Sequence, residues 1–213
     1  SMKYIYWLCK LYGLSLPQPE FTNLSEAYKV SEYMERTKKE RGISVLRTYA
    51  SSALRVVQSA IEKGADISGS IIFTGGEPLT ENRLKFIEKA GVRAFPRYIS
   101  TEAGLIGASC PFRDSPDDMH VYMDRIAVIQ MEQLIGTGGE KVKTFLFTSL
   151  LPTAGKILLN TDIGDFGNLF ERSCDCLFGK LGMNLHVSNV RGYDKLTGEG
   201  MTLIGSDLDE IVG

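Results

Sequence analysis

Ser70-Ile71-Ile72-Phe73-Thr74-Gly75-Gly76-Glu77-Pro78-Leu79-Thr80 is the stretch that decides the fold. It opens on a short apolar run bounded by glycines, which reads as a buried strand from Ser70 to Thr74. Gly75 to Leu79 is a loop. Thr80 then caps a helix that runs through Leu84, Phe86 and Ile87 to Ala90 and stops at Gly91. Val92 to Phe95 is the next short strand. Strand, loop, helix and strand in that order predict a parallel βαβ unit.

Toward the N-terminus the pattern is helical. Asn23-Leu24-Ser25-Glu26 has the form of a capping box, and the helix it opens is expected to reach about Glu40 and end at Gly42. Thr48 to Lys63 reads as a second helix, with Ala53, Leu54, Val57, Ala60 and Ile61 on one face and Gly64 as its stop. Past about residue 105 the pattern turns to β. Met119 to Val128, Val142 to Thr148 and Asn184 to Val190 are alternating or β-rich, separated by Gly and Asp clusters. The expected fold is therefore α/β, a helix-flanked parallel or mixed sheet followed by a β-rich subdomain. The expected divisions are 1–105, 106–192 and a final segment 193–213.

The 213 residues are 43% apolar and 23% charged, enough to form a hydrophobic core. With 24 basic and 26 acidic residues the formal charge is −2, so the balance asks for no nucleic-acid partner. No apolar run approaches the ~20 residues that span a bilayer, which argues against a membrane partner. The N-terminal apolar stretch to Cys9 is too short and aromatic for a signal peptide. Ser1 before Met2 reads as a tag-cleavage scar. Without a secretion signal, Cys9, Cys110, Cys174 and Cys176 are read as thiols in reducing cytoplasm, not as disulfides.

Three loops could carry chemistry. The Gly75-Gly76 pair lets backbone come close to a flat or charged ligand at a sheet's carboxyl end, although an ordinary strand-to-helix turn has the same form. Tyr98-Ile99-Ser100-Thr101-Glu102 sets a hydroxyl beside a carboxylate past the next strand. That pair suits a nucleotide phosphate and its Mg²⁺, or simply a surface loop. Asp165, in Asn160-Thr161-Asp162-Ile163-Gly164-Asp165-Phe166-Gly167, could accept both hydroxyls of a ribose, or mark a hairpin turn. Separately, Cys110, His120, Cys174 and Cys176 supply three thiolates and an imidazole, the number of ligands a structural Zn²⁺ takes. The plain alternative is free cysteines and a surface histidine. Cys9 is expected to be a core thiol and His186, in an alternating strand, a structural residue.

In order and spacing these pieces resemble the acyl-adenylate-forming enzymes, especially their phenylacetate–coenzyme A ligase branch. The family's Gly-Glu-Pro-Leu loop, Tyr-Gly-x-Thr-Glu loop and Gly-Asp turn have counterparts here. Its arginine with a following hinge aspartate is matched by Arg191-Gly192-Tyr193-Asp194, and Gly200 to Asp209 aligns without a gap. The resemblance covers residues 45–213. It implies that Gly75, Gly76, Glu77 and Pro78 line an adenine site and that Tyr98 joins the nucleotide contacts. It further implies that Thr101 meets the phosphate, Glu102 binds Mg²⁺, Asp165 holds the ribose with help from Arg191, and Asp194 marks a hinge. Ile99 stands where the family prefers glycine, which narrows the acyl or adenine pocket. The branch also carries cysteines and a histidine in the order of Cys110, His120, Cys174 and Cys176.

What the resemblance implies is ATP-dependent activation of a small carboxylic acid as acyl-AMP, then transfer to a thiol such as coenzyme A, with ATP or AMP, Mg²⁺ and a structural Zn²⁺. No Ser/Thr/Gly-rich phosphate loop followed by lysine occurs in the 213 residues. The expectation is thus a middle piece of a longer ligase, inactive alone. The alternatives are an inactive nucleotide-binding module and a zinc-stabilised interaction domain.

Overall fold

The computed structural model describes residues 2–14, 16, 18–135, 140–192, 197–198 and 201–202. Helix α1 (Met2–Leu11) precedes a single 3-10 turn (Leu24–Glu26) that leads into α2 (Ala27–Arg41). Glu26 accepts from the Asn23 N–H at 3.1 Å, the reach-back half of a capping box, and Gly42 closes α2 with φ +78°.

Strand β1 (Val45–Thr48), helix α3 (Ala50–Lys63), strand β2 (Ile71–Gly75), helix α4 (Glu81–Lys89) and strand β3 (Arg93–Ser100) follow. β1 pairs with β2 and β2 with β3, both parallel, as the βαβ reading predicts. Thr80 Oγ1 accepts from the Arg83 N–H and caps α4. Thr48 ends β1 and does not begin α3. Four residues at a sheet edge are too short a run to outweigh the helical pattern that begins beside them. α3 buries Ala53, Val56, Val57 and Ala60, while Ile61 is half exposed. The helix face is therefore turned slightly from the one the periodicity suggested.

Beyond β3 every pairing is antiparallel: β4 (Gly104–Ser109), β5 (Met119–Val121), β6 (Ile126–Ile135), β7 (Glu140–Ser149), β8 (Thr161–Glu171) and β9 (Leu185–Gly192). The short helix α5 (Leu177–Lys180) lies between β8 and β9, and a two-residue pair, β10 (Thr197–Gly198) with β11 (Met201–Thr202), follows. One nine-stranded sheet runs β1-β2-β3-β4-β5-β9-β8-β7-β6. The stretch Met119 to Val128 is not one strand; it breaks at a turn where the Arg125 and Ile126 N–H groups both bond to the Tyr122 carbonyl.

Two cores hold this sheet. Met34, Val57, Ile87, Ile72 and Ala94 belong to the first, so α2, α3 and α4 cover one face of the parallel strands. Tyr98, Ile106, Val121, Phe145, Phe147 and Val187 belong to the second, under the β6–β7 hairpin. Burying each large apolar side chain contributes roughly 1.5–3 kcal/mol. Cys9 is half-buried on α1 and lies in neither core, contrary to expectation: α1 leaves Tyr4, Trp7 and Leu11 exposed, and none of its described side chains belongs to either core. Among the described residues no helix is long and apolar enough to cross a membrane.

Candidate metal centre and nucleotide-side residues

Cys110, just past β4, is followed by a turn that returns as β5, carrying His120. Cys174 and Cys176 lie in the β8–β9 connection, and Cys176 is the N-cap of α5. Antiparallel register sets His120 opposite His186 on β9, which brings the connection over β5. The four ligand atoms all lie within 4.8 Å of one another. Cys174 Sγ is 3.7 Å from Cys110 Sγ and 3.1 Å from Cys176 Sγ. His120 Nε2 is 3.4 Å from Cys174 Sγ and 3.1 Å from Cys176 Sγ. A tetrahedral Zn²⁺ with ~2.3 Å bonds to sulfur has edges of roughly 3.5–3.8 Å, so small shifts would bring the four donors onto one coordination sphere.

The imidazole is oriented for ligation. Its Nδ1 lies 2.7 Å from the Met183 carbonyl, an acceptor only, so the proton sits on Nδ1 and Nε2 keeps its lone pair toward the sulfurs. Burial holds its pKa below the ordinary histidine value, which keeps the ring neutral. Burial pushes the Cys110 thiol up. Burial also acts against the Cys174 thiolate, but bonds from Cys176 and Cys110 and the charge of Arg172 outweigh it, and its pKa falls. The Cys-x-Cys turn closes because position 179 is glycine: a Cβ there would sit 2.0 Å from the Cys174 carbonyl oxygen.

The nucleotide-side residues emerge at the carboxyl ends of β2 and β3. Gly75 is in register with Arg97, so the loop after β2 begins beside the last residues of β3, from Tyr98 to Ser100. Gly76 has φ +74°, and a Cβ there would lie 2.6 Å from the Tyr49 ring. Glu77 accepts from the Ser51 N–H at 2.7 Å and the Ser51 hydroxyl at 2.8 Å, so it caps the first turn of α3. The Pro78 carbonyl accepts from Arg83 at 2.9 Å.

Tyr98, Ile99 and Ser100 are not loop residues; β3 continues through them because β4 pairs along its far edge. Thr101 and Glu102 are exposed in the turn to β4. The stretch around Asp165 is not a hairpin turn either. It lies inside β8, where the register moves from Leu146 opposite Asp162 to Thr144 opposite Phe166, a bulge with Gly164 at φ +85°. There the Tyr98 hydroxyl donates to Asp165 Oδ2 at 2.6 Å. Burial and the Asp165 charge push the phenol far up, so it stays protonated as a donor. Arg191 is one register pair from Asp165, and its guanidinium lies 3.9 Å from Asp117. Ile99 Cδ1 lies 3.6 Å from where a Gly75 Cβ would stand. Asp194 and most of 200–209 lie outside the described residues.

Two groups escaped the sequence reading. Arg172, half-buried, pairs with the buried Asp118 near Cys110, and His186 Nδ1 lies 2.6 Å from Asp118 Oδ1. The only sequence sign is that Arg172 and Asp118 each precede a cysteine or histidine ligand by two residues.

No protein-family model and no curated protein matches the chain. Among solved structures it is similar to an acyl-CoA synthetase (AMP-forming)/AMP-acid ligase II-like protein from Dyadobacter fermentans. That match has a TM-score of 0.41 and 11% identity, and covers 79% of this chain and 41% of that one. It is also similar to a luciferase-like enzyme from the nonluminescent mealworm Zophobas morio, at a TM-score of 0.41 and 13% identity, covering 74% and 40%. The chain thus spans about two-fifths of the length of each.

Proposed function

We propose that the chain is the adenosine-side portion of an AMP-forming carboxylate–thiol ligase, stabilised by one structural Zn²⁺. The observation that carries the ligase reading is the 2.6 Å bond from Tyr98 to Asp165. It joins two motifs 67 residues apart, and Tyr98 follows Arg97, the register partner of Gly75; the resemblance expects these pieces around one nucleotide. Asp165 would hold the ribose hydroxyls, Tyr98 orienting its carboxylate. The loop backbone would flank the base, and Thr101 with Glu102, exposed to solvent, would face the phosphate and its Mg²⁺. When bound, Mg²⁺ supplies charge neutralisation at the phosphate. The acid and the thiol acceptor, coenzyme A-like in this reading, would come from solution.

Calorimetry with AMP tests the reading. Ribose and base contacts without most phosphate contacts give a dissociation constant on the order of 0.1–1 mM, or about 4–5.5 kcal/mol. Asp165→Ala should abolish measurable binding. Equal binding by both proteins removes the ribose assignment.

The Cys110, His120, Cys174 and Cys176 cluster supports the zinc reading by itself, and with it the second reading of a zinc-stabilised module without catalysis. All four positions of the ion would be filled by protein, so its role would be folding. A chain that carries zinc but binds no AMP would be that module.

A further inference from the structure

We propose that Arg172, held in place by Asp118, is an outer partner of the metal centre whose guanidinium sets how tightly the Cys110 thiolate keeps the ion. The proposal rests on the zinc reading and is independent of the ligase reading.

Arg172 follows β8 directly and is held from two sides by one loop. Its Nη1 donates to the Phe112 carbonyl at 2.9 Å and its Nη2 pairs with Asp118 Oδ2, while the mostly exposed Asp114 carboxylate, 3.6 Å from its Nε, competes for its charge. Phe112 is two residues past Cys110, so these contacts hold the guanidinium at the turn that carries that ligand. The loop is tied to the ligand at its other end as well, because the Cys110 N–H donates to the Asp118 carbonyl at 3.1 Å. The second oxygen of Asp118 is 2.6 Å from His186 Nδ1, and the His186 ring lies 4.0 Å from that of His120, centre to centre. Arg172, Asp118 and His186 therefore touch or abut two of the four ligands while ligating nothing themselves.

The charges explain the arrangement. Zn²⁺ with three thiolates and a neutral imidazole carries one net negative charge. Asp118 and His186 are 1% and 0% exposed on their side chains, and burying such a network gives no clear gain in stability over apolar packing. An electrostatic task accounts for its presence better. A fixed cation beside a buried thiolate offsets the excess negative charge where the effective dielectric is low. Outer partners of this kind typically change metal affinity by ~10–100-fold.

The test uses the purified zinc-bound protein. Zinc stoichiometry is measured first, then zinc affinity by competition with a chromophoric chelator, then the sulfur-to-cobalt charge-transfer band after Co²⁺ substitution. Arg172→Gln, which removes the charge and keeps an amide, should weaken zinc binding ~10–100-fold and shift the cobalt band. Arg172→Lys, which keeps the charge, should restore affinity to within ~3-fold of wild type. Asp114 is mostly exposed, so Asp114→Asn preserves the fold while removing a competing anion; it should tighten zinc by ~2–3-fold. That increase still reads the proposal if Arg172→Gln does not fold. Unchanged affinity and an unchanged cobalt band in Arg172→Gln overturn the proposal, as does unchanged or weaker affinity in Asp114→Asn. A wild type that binds no zinc overturns the metal reading and this proposal with it.

Discussion

At the scale of single residues, glycine geometry and one tyrosine hydroxyl carry the sharpest consequences. Gly76 combines φ +74° with a would-be Cβ 2.6 Å from Tyr49. Gly76→Ala therefore pays both left-handed strain and a clash, and should lower stability by ~1–3 kcal/mol in urea unfolding. An unchanged midpoint would mean that Tyr49 swings away freely. Tyr98 is a second case. Asp165→Ala leaves its buried hydroxyl without this acceptor, an expected loss of ~1–3 kcal/mol, whereas Tyr98→Phe removes the hydroxyl and should cost less. Equal losses would show that the hydroxyl is not what Asp165 satisfies. Neither contact was legible in the sequence. Tyr98 and Asp165 were each singled out, but a bond across 67 residues follows from sheet order, which no local pattern contains.

At the scale of elements, local signals predicted what local physics decides. The Thr80 cap and the Gly42 and Gly64 stops depend on neighbours within a turn, the βαβ unit on the order of strand and helix patterns, and all appear. The errors came where pairing overrides pattern. β3 runs on to Ser100 because β4 returns along it, and the Gly164-Asp165 pair is a bulge because β7 lies alongside. Edge strand β1 went unread for want of length, and its last residue, Thr48, was read as the start of a helix. The metal ligands were legible as residue types, yet their meeting needs the β5–β9 register that sets His120 beside His186. The Cys-x-Cys connection is the element most exposed to a small change. In Gly179→Ala the new methyl would meet the Cys174 carbonyl, so the turn must open. Zinc content per chain, measured by elemental analysis, should fall well below that of wild type while α2 to α4 keep their helical circular dichroism. Full zinc in the variant would show that the connection tolerates a different turn.

At the scale of the whole molecule, the ion would join parts that the chain leaves distant. Cys110 and Cys174 are 64 residues apart, and between them lie β5 and the β6–β7 hairpin over the second core. Closing so long a loop costs chain entropy, but that cost grows only slowly with length. Structural Zn²⁺ supplies ~10–16 kcal/mol in small peptides, far more than the closure needs. Part of that energy is already present here without metal, since hydrophobic packing and the antiparallel ladder hold the same segments. Removing zinc should therefore loosen the molecule without unfolding it outright. If the ion contributes ~3 kcal/mol beyond the packing, a chelator should lower the melting temperature by roughly 6–12 °C. Cys176→Ser should show a similar fall and no further response to chelator. The two cores sharpen the expectation. The second core, under the hairpin, encloses β5 and β9 and should lose hydrogen-exchange protection on chelation. The first core, under α2 to α4, includes none of the four ligands and none of the residues of β4, β5 or β9, and should keep its protection. Loss of protection spread evenly over both cores would mean that the sheet melts as one unit. A melting temperature indifferent to chelator, in protein that carries no zinc, would leave the three thiols and the imidazole as neighbours without a metal.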